Sequence, residues 1–187
     1  MKVVCNVLLL ACVALLFGCA GGAKMENMVY SDLVNGPKAY DPSLNNGVQL
    51  QGVSGGQKTN PAWTSEIGDE EFSGAVKESL RLQSLLAEGD AGKYQLEVKL
   101  LEVDQPMFGL NFKVTMHAQY ILKEAATGRV LLDKTLVTDY TAGVGDAFAA
   151  VKRLRLANEG SAKTNIGALL TELSTLKISP KNVSMAK

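Results

Sequence analysis

The chain has 187 residues, with 19 basic and 19 acidic side chains, one histidine and 47% apolar residues. The length fits one domain, at roughly 100–200 residues per domain, with enough chain to bury a core. The balanced charge, free of Lys/Arg clusters, argues against nucleic acid or an anionic lipid surface as the main partner.

The chain opens with Met1-Lys2, follows with the apolar run from Val7 to Phe17, and reaches small residues at Gly18. This is the charged, apolar, small-residue order of an export signal. The run is shorter than the roughly 20 apolar residues that span a bilayer. The Gly18-Cys19-Ala20-Gly21-Gly22 exit has no positive stop-transfer flank. Residues 1–18 therefore read as a cleaved signal peptide. Leu16, Phe17, Gly18 and Cys19 resemble the lipobox of bacterial lipoproteins, in which the cysteine is acylated and the bond before it is cut. The resemblance makes Cys19 the lipidation site, carrying fatty acyl chains such as palmitate, and makes the bilayer a partner. Ala20 and Gly21 lack the aspartate that retains enteric lipoproteins in the inner membrane, so the expected address is the periplasmic face of the outer membrane. Cys5 and Cys12 lie in the signal, which leaves Cys19 alone in the mature chain and allows no internal disulfide.

Residues 19–46 are rich in Gly, Lys, Asn, Asp, Pro and Ser and read as a lipidated tether, with a small docked piece near Val29 and Tyr30. The single folded domain then covers 47–178, and 179–187 form a C-terminal tail. Alternation over residues 47–53 marks a first strand closed by Ser54-Gly55-Gly56. From Asp69, the helical spacing of Phe72, Ala75, Val76 and Leu80 predicts a helix to about Ala87, with acidic residues suiting its first turn.

Tyr94, Leu96, Val98 and Leu100 alternate with polar residues, as do Phe112, Val114, Met116, Ala118, Tyr120 and Leu122, and both runs are half-buried strands. A short turn at Ala125-Ala126-Thr127-Gly128 leads into a third long strand over residues 129–140. Asp146 is placed to cap a last helix whose Phe148, Val151, Ala162, Ile166, Leu169 and Leu173 form an apolar stripe, with Gly160 as a bend. The order β-α-β-β-β-α predicts an α+β fold: a twisted antiparallel sheet of about four strands with two helices packed on one face.

That layout is similar in topology to lipopolysaccharide-assembly lipoproteins and the auxiliary lipoproteins of ABC-type lipid transporters. Two segments carry a closer resemblance, Gly55-Gly56-Gln57-Lys58-Thr59-Asn60-Pro61-Ala62-Trp63-Thr64-Ser65 and Arg153-Leu154-Arg155-Leu156-Ala157-Asn158-Glu159-Gly160. Both resemble an uncharacterised family of Gram-negative outer-membrane lipoproteins, sometimes labelled UDP-N-acetylglucosamine acyltransferase. The enzyme of that name is a left-handed β-helix of hexapeptide repeats, and this chain has no six-residue period.

Gly55-Gly56-Gln57-Lys58-Thr59 lacks the glycine spacing of a phosphate loop and meets Pro61 before any helix, so it reads as a turn and no nucleotide is expected. His117 falls on the polar side of a strand with no second ligand, and Ser65, Ser73, Ser79 and Ser161 sit in no nucleophile elbow. No catalytic residue, metal or cofactor is assigned. The candidate partner contacts are Met107 and Phe108 at a hairpin tip, and Arg153, Arg155, Asn158 and Glu159 in the last helix, where Arg155 and Glu159 are spaced for an ion pair. Those four helix residues equally suit an internal role that pins the helix to the tether. The expectation is a non-enzymatic anchored lipoprotein that binds or scaffolds an envelope assembly. Its alternatives are a carrier of a lipid-like ligand and an enzyme of glycan or lipid metabolism.

Overall fold

A computed structural model describes residues 21–31, 38–60, 64–89 and 92–178. The lipobox, Trp63 and the tail from 179 lie outside the described residues. The elements are α1 (Met25–Met28), a 3-10 turn (Pro42–Leu44), β1 (Val48–Ser54), α2 (Asp69–Leu82), β2 (Tyr94–Asp104), β3 (Phe112–Glu124), β4 (Val130–Ala142) and α3 (Ala150–Thr175).

The fold is α+β, with a four-stranded sheet in the order β1-β2-β3-β4. The expected meander is present: β2 pairs antiparallel with β3, and β3 with β4. β1 differs from the expectation in running parallel to β2, so the sheet is mixed. The reason is the intervening helix. A strand followed by a crossover helix re-enters the sheet from the same end, and that makes the pair parallel.

Direction then sorts the loops into two groups. β1 and β2 run away from one end, which we call the near end, and β4 runs the same way because it is antiparallel to β3. The segment after β1, the β2–β3 loop and the β4–α3 loop therefore gather at the far end.

The alternating apolar side chains of β2 and β3 face the helices, and Leu96, Val114, Met116, Ala118, Tyr120 and Leu122 are buried completely. Phe72, Val76 and Leu80 of α2 and Ile166, Leu169 and Leu173 of α3 close the other side. One polar hub crosses this layer. The Tyr120 hydroxyl donates to Asn165 Oδ1 at 2.7 Å, and Asn165 Nδ2 donates to Leu136 O at 3.0 Å and to Thr138 Oγ1 at 2.9 Å. Burial pushes the Tyr120 phenol far above its ordinary value, so it acts only as a neutral donor.

Three boundaries differ from the sequence expectation. Helix α2 stops at Leu82 instead of Ala87, because Ser84 turns into the left-handed region of backbone space. Leu85 then becomes buried beside β1, its carbonyl accepting from Val48 N–H. Helix α3 begins at Ala150, since Asp146 accepts from Gly143 N–H at 2.7 Å and closes its own turn. Phe148 consequently precedes the helix and is 94% exposed, outside the apolar stripe that had claimed it. Gly160 lies inside one continuous helix, Ala150–Thr175. A Cβ there would collide with the Tyr140 ring, so close packing explains the glycine without a break in the helix.

The segment expected to be a tether is partly built into the domain. Ala23, Met28 and Leu44 are core residues, and the Tyr30 ring packs where a Cβ on Gly167 would stand 2.5 Å from it. The apolar residues in this stretch are few, and Ala23, Met28, Tyr30 and Leu44 pack against the core. At the near end, Asp41 accepts from Ile178 N–H at 3.0 Å, and that bond, with those from Ser43, holds its carboxyl below the usual range.

Substituting Asn165→Ala leaves the Tyr120 hydroxyl without its acceptor in a dry layer, where an unmatched polar group costs about 1–3 kcal/mol. The expected result in urea denaturation is a loss of about 3 kcal/mol, with Tyr120→Phe losing less because only one partner is orphaned.

Candidate functional site

The four polar residues singled out in α3 prove to be largely internal. Arg153, Asn158 and Glu159 are buried, and Arg155 is half-buried. Arg153 Nη1 donates to Ala147 O at 2.9 Å and Phe148 O at 2.6 Å, while its guanidinium lies 5.2 Å from the centre of the Phe112 ring. That pairing ties the loop before α3 to the start of β3. Asn158 Nδ2 donates to Ser65 O at 2.5 Å, and Gln105 Nε2, from the β2–β3 loop, reaches the same carbonyl at 3.1 Å.

Glu159 holds the first described residues. It accepts from Lys24 N–H and from Asn27 Nδ2, each at 2.9 Å, and stands 3.6 Å from Arg155 Nε in the expected i,i+4 ion pair. Ser65 Oγ donates to Gly21 O at 2.9 Å, and Ala23 N–H donates to Glu66 O at 2.9 Å. Tyr30 N–H donates to Ser79 Oγ at 2.9 Å, so the segment is held at both ends. Most of the buried polar groups of α3 are thus committed to internal partners; Asn158 Oδ1, Arg153 Nε and Arg155 Nε have no hydrogen-bond partner among the described residues. Burial leaves Arg153, Asn158 and Glu159 little surface to offer a protein partner, and most of their bonds fit the internal role that the sequence also allowed, pinning the helix to other segments of the fold.

Beside this clasp, two loops of the far end carry exposed apolar side chains. Met107 and Phe108 project from the loop between β2 and β3, with Leu110 beside them, and Phe148 projects from the loop before α3. Between the β2–β3 loop and the first turns of α3 runs a groove of about 430 Å³, lined by Gln105, Met107, Phe108, Phe112, Val151 and Leu154. Met107 and Phe108 are therefore accessible for contact, as the sequence placed them. Leu110 and Phe148, also exposed, were not singled out by the sequence. Leu110 follows a glycine in an irregular loop, and Phe148 happens to continue the helical period of α3 by one turn.

The remaining candidates are placed as follows. His117 lies half-buried on the open face of the sheet, in register with Glu102 on β2 and Val137 on β4. Ser65, Ser79 and Ser161 donate to backbone carbonyls. In the glycine-rich turn, Gly55 has a positive φ that favours glycine, and Gly56 N–H donates to the Asp69 carboxylate at 2.7 Å. Among the described residues no group of three His, Cys, Asp or Glu side chains is placed to hold a metal.

Glu159→Ala removes the acceptor for two donors and leaves Arg155 without its partner. The expected cost is about 3 kcal/mol in urea denaturation, accompanied by early proteolytic cleavage within residues 21–31; Glu159→Gln, which keeps one acceptor oxygen, loses less.

No model of a protein family and no curated protein matches this chain. Solved structures do. Protein XCC0632 of Xanthomonas campestris, of family DUF330, is similar over 78% of this chain and 90% of its own, with 10% identity and a TM-score of 0.53. A minor lipoprotein of Acinetobacter baumannii is 11% identical over 74% of this chain and all of its own, with a TM-score of 0.46. A PelC dodecamer of Paraburkholderia phytofirmans gives 13% identity over 75% of this chain and 94% of its own, with a TM-score of 0.45. The likeness to XCC0632 is one of fold.

Proposed function

We propose that this protein is a lipoprotein of the bacterial envelope, anchored through acylated Cys19 at the periplasmic face of the outer membrane, where it serves as a fixed binding or scaffold component of an envelope assembly. The observation that carries this reading is the attachment of Gly21. Two residues after the proposed lipid site, the backbone is already hydrogen-bonded to Ser65, and Ala23 is already in the core. An anchor joined so directly to a fold holds the domain at the membrane surface instead of letting it roam on a long tether.

The surface left for a protein partner is the open face of the sheet together with the free edge of β4. Polar cross-strand pairs lace that face, including Lys123 with Glu97 at 2.8 Å and Gln119 with Asp133 at 2.8 Å. Among the described residues β4 has a paired strand on one side only, and an edge strand offers unpaired backbone groups for strand addition. This reading gives the protein no catalytic step. A lipid carrier would need an apolar interior of roughly 300 Å³ or more. The layer between sheet and helices is filled instead by Phe72, Tyr120, Met28, Leu44, Ile166 and Leu169, which favours the scaffold reading.

Metabolic labelling with an alkynyl fatty acid tests the anchor. The expected result is a labelled protein in the outer-membrane fraction and complete loss of label in Cys19→Ser. Label that survives this substitution contradicts the reading.

A further inference from the structure

We propose that the far end of the domain seats in the surface of the lipid bilayer itself, through the β2–β3 loop and the loop before α3, so that the domain stands end-on on the membrane in a fixed orientation. This deepens the anchored reading above and rests on it.

Four large apolar side chains are exposed at this end: Met107 is 84% exposed, Phe108 86%, Leu110 75% and Phe148 94%. The two loops that carry them leave neighbouring strand ends. Phe112 and Ala142, at the bases of the two loops, are paired across the β3–β4 ladder, and a Cβ on Gly143 would lie 3.0 Å from Asn111 Oδ1. Clustered exposed apolar surface of this kind marks an interaction site, because isolated side chains of this size gain nothing from standing in water.

The position of the anchor selects the bilayer as the occupant. Gly21 O accepts from Ser65 Oγ, and Ser65 O accepts from Gln105, two residues before Met107. A Cβ on Gly21 would stand 3.2 Å from Arg155 Nη1, which places the same residue beside the first turns of α3. From Gly21 back to Cys19 the chain spans at most about 7 Å, two residues at full extension. A bilayer that takes up the acyl chains of Cys19 therefore comes within reach of Met107 and Phe108.

The chemistry of the loops agrees. Residues 105–111 contain no charged side chain, and the only one in 143–149 is Asp146, which is engaged with Gly143 N–H. The β2–β3 loop has no charge to be dehydrated, and aromatic and Met side chains are suited to the boundary between headgroups and acyl chains, where the exposed Asp146 carboxylate stays among the headgroups. The acyl chains supply the affinity. The loops supply orientation, which a lipid on a single residue leaves free.

The test uses the acylated chain, whose single mature thiol is blocked by lipid, so that a new cysteine is the only one that reacts. Phe108→Cys, Phe148→Cys and, as a near-end control, Ala126→Cys are labelled with an environment-sensitive fluorophore. Each is reconstituted into vesicles of phosphatidylethanolamine and phosphatidylglycerol, with and without doxyl-labelled lipid. Expected are blue-shifted emission and quenching by doxyl lipid at 108 and 148, neither at 126, and persistence in about 1 M salt, where the screening length is about 3 Å. Probes at 108 and 148 that behave like the one at 126 on acylated, vesicle-bound protein overturn the seat and leave the anchor standing. Probes already shielded in a lipid-free chain made from residue 20 onward, without the signal, in a concentration-dependent way, assign the surface to a second copy and also overturn it. An N-terminal peptide without acyl mass overturns the anchor, and this proposal with it.

Discussion

The carboxylate of Glu159 is the point from which the geometry of the whole far end follows. It is buried on a helix packed against the sheet, and a buried carboxylate needs its lone pairs met by donors. The donors that meet it are Lys24 N–H and Asn27 Nδ2, from a stretch that lacks the apolar content to form a core of its own. With that stretch held, Ala23 and Met28 enter the core and Tyr30 closes over Gly167. Residues near the proposed lipid site thereby become part of a rigid body.

The sheet topology determines where that rigid attachment points. Because β1 is parallel to β2, residues 55–60 and 64–68 lie at the same end as the β2–β3 loop, and Ser65 can bond Gly21 while its carbonyl accepts from Gln105 and Asn158. An antiparallel β1 would carry that segment to the other end and separate it from the loops. The apolar tips, the clasp and the first described residues share one end because a crossover helix connects the first two strands. In the proposed seating, the open sheet face and the β4 edge stand clear of the membrane, available to a partner.

Strong local periodicity was legible. The alternation in β2 and β3 reports the one-sided burial of a strand that spans the domain, and the spacing of Phe72, Ala75, Val76 and Leu80 reports the face of α2. Features that depend on distant partners were not. Strand direction for β1 follows from connectivity that its own residues do not encode. The composition of residues 20–46 looks like linker because the few apolar side chains it adds to the core, among them Ala23, Met28 and Leu44, pack against other elements. Phe148 continues the helical period of α3 yet falls outside it, since the turn closed by Asp146 delays the first helical residue. Arg153, Asn158 and Glu159 were visible as unusual, but Asn158 and Glu159 are buried against segments remote in sequence, around Ser65 and Lys24. Met107 and Phe108 were placed at a tip by Pro106 and Gly109, and the chain geometry leaves them outside the core.

Amide hydrogen exchange of the acylated protein in lipid nanodiscs tests the central claim, that the chain joins the folded domain within two residues of its lipid. The account predicts that the amides of Ala23, Lys24 and Tyr30, which donate to Glu66 O, Glu159 Oε1 and Ser79 Oγ, exchange as slowly as those of the inner strands β2 and β3. Exchange of these three amides at the rate of unstructured peptide would contradict it, and would return residues 21–31 to the role of a free tether.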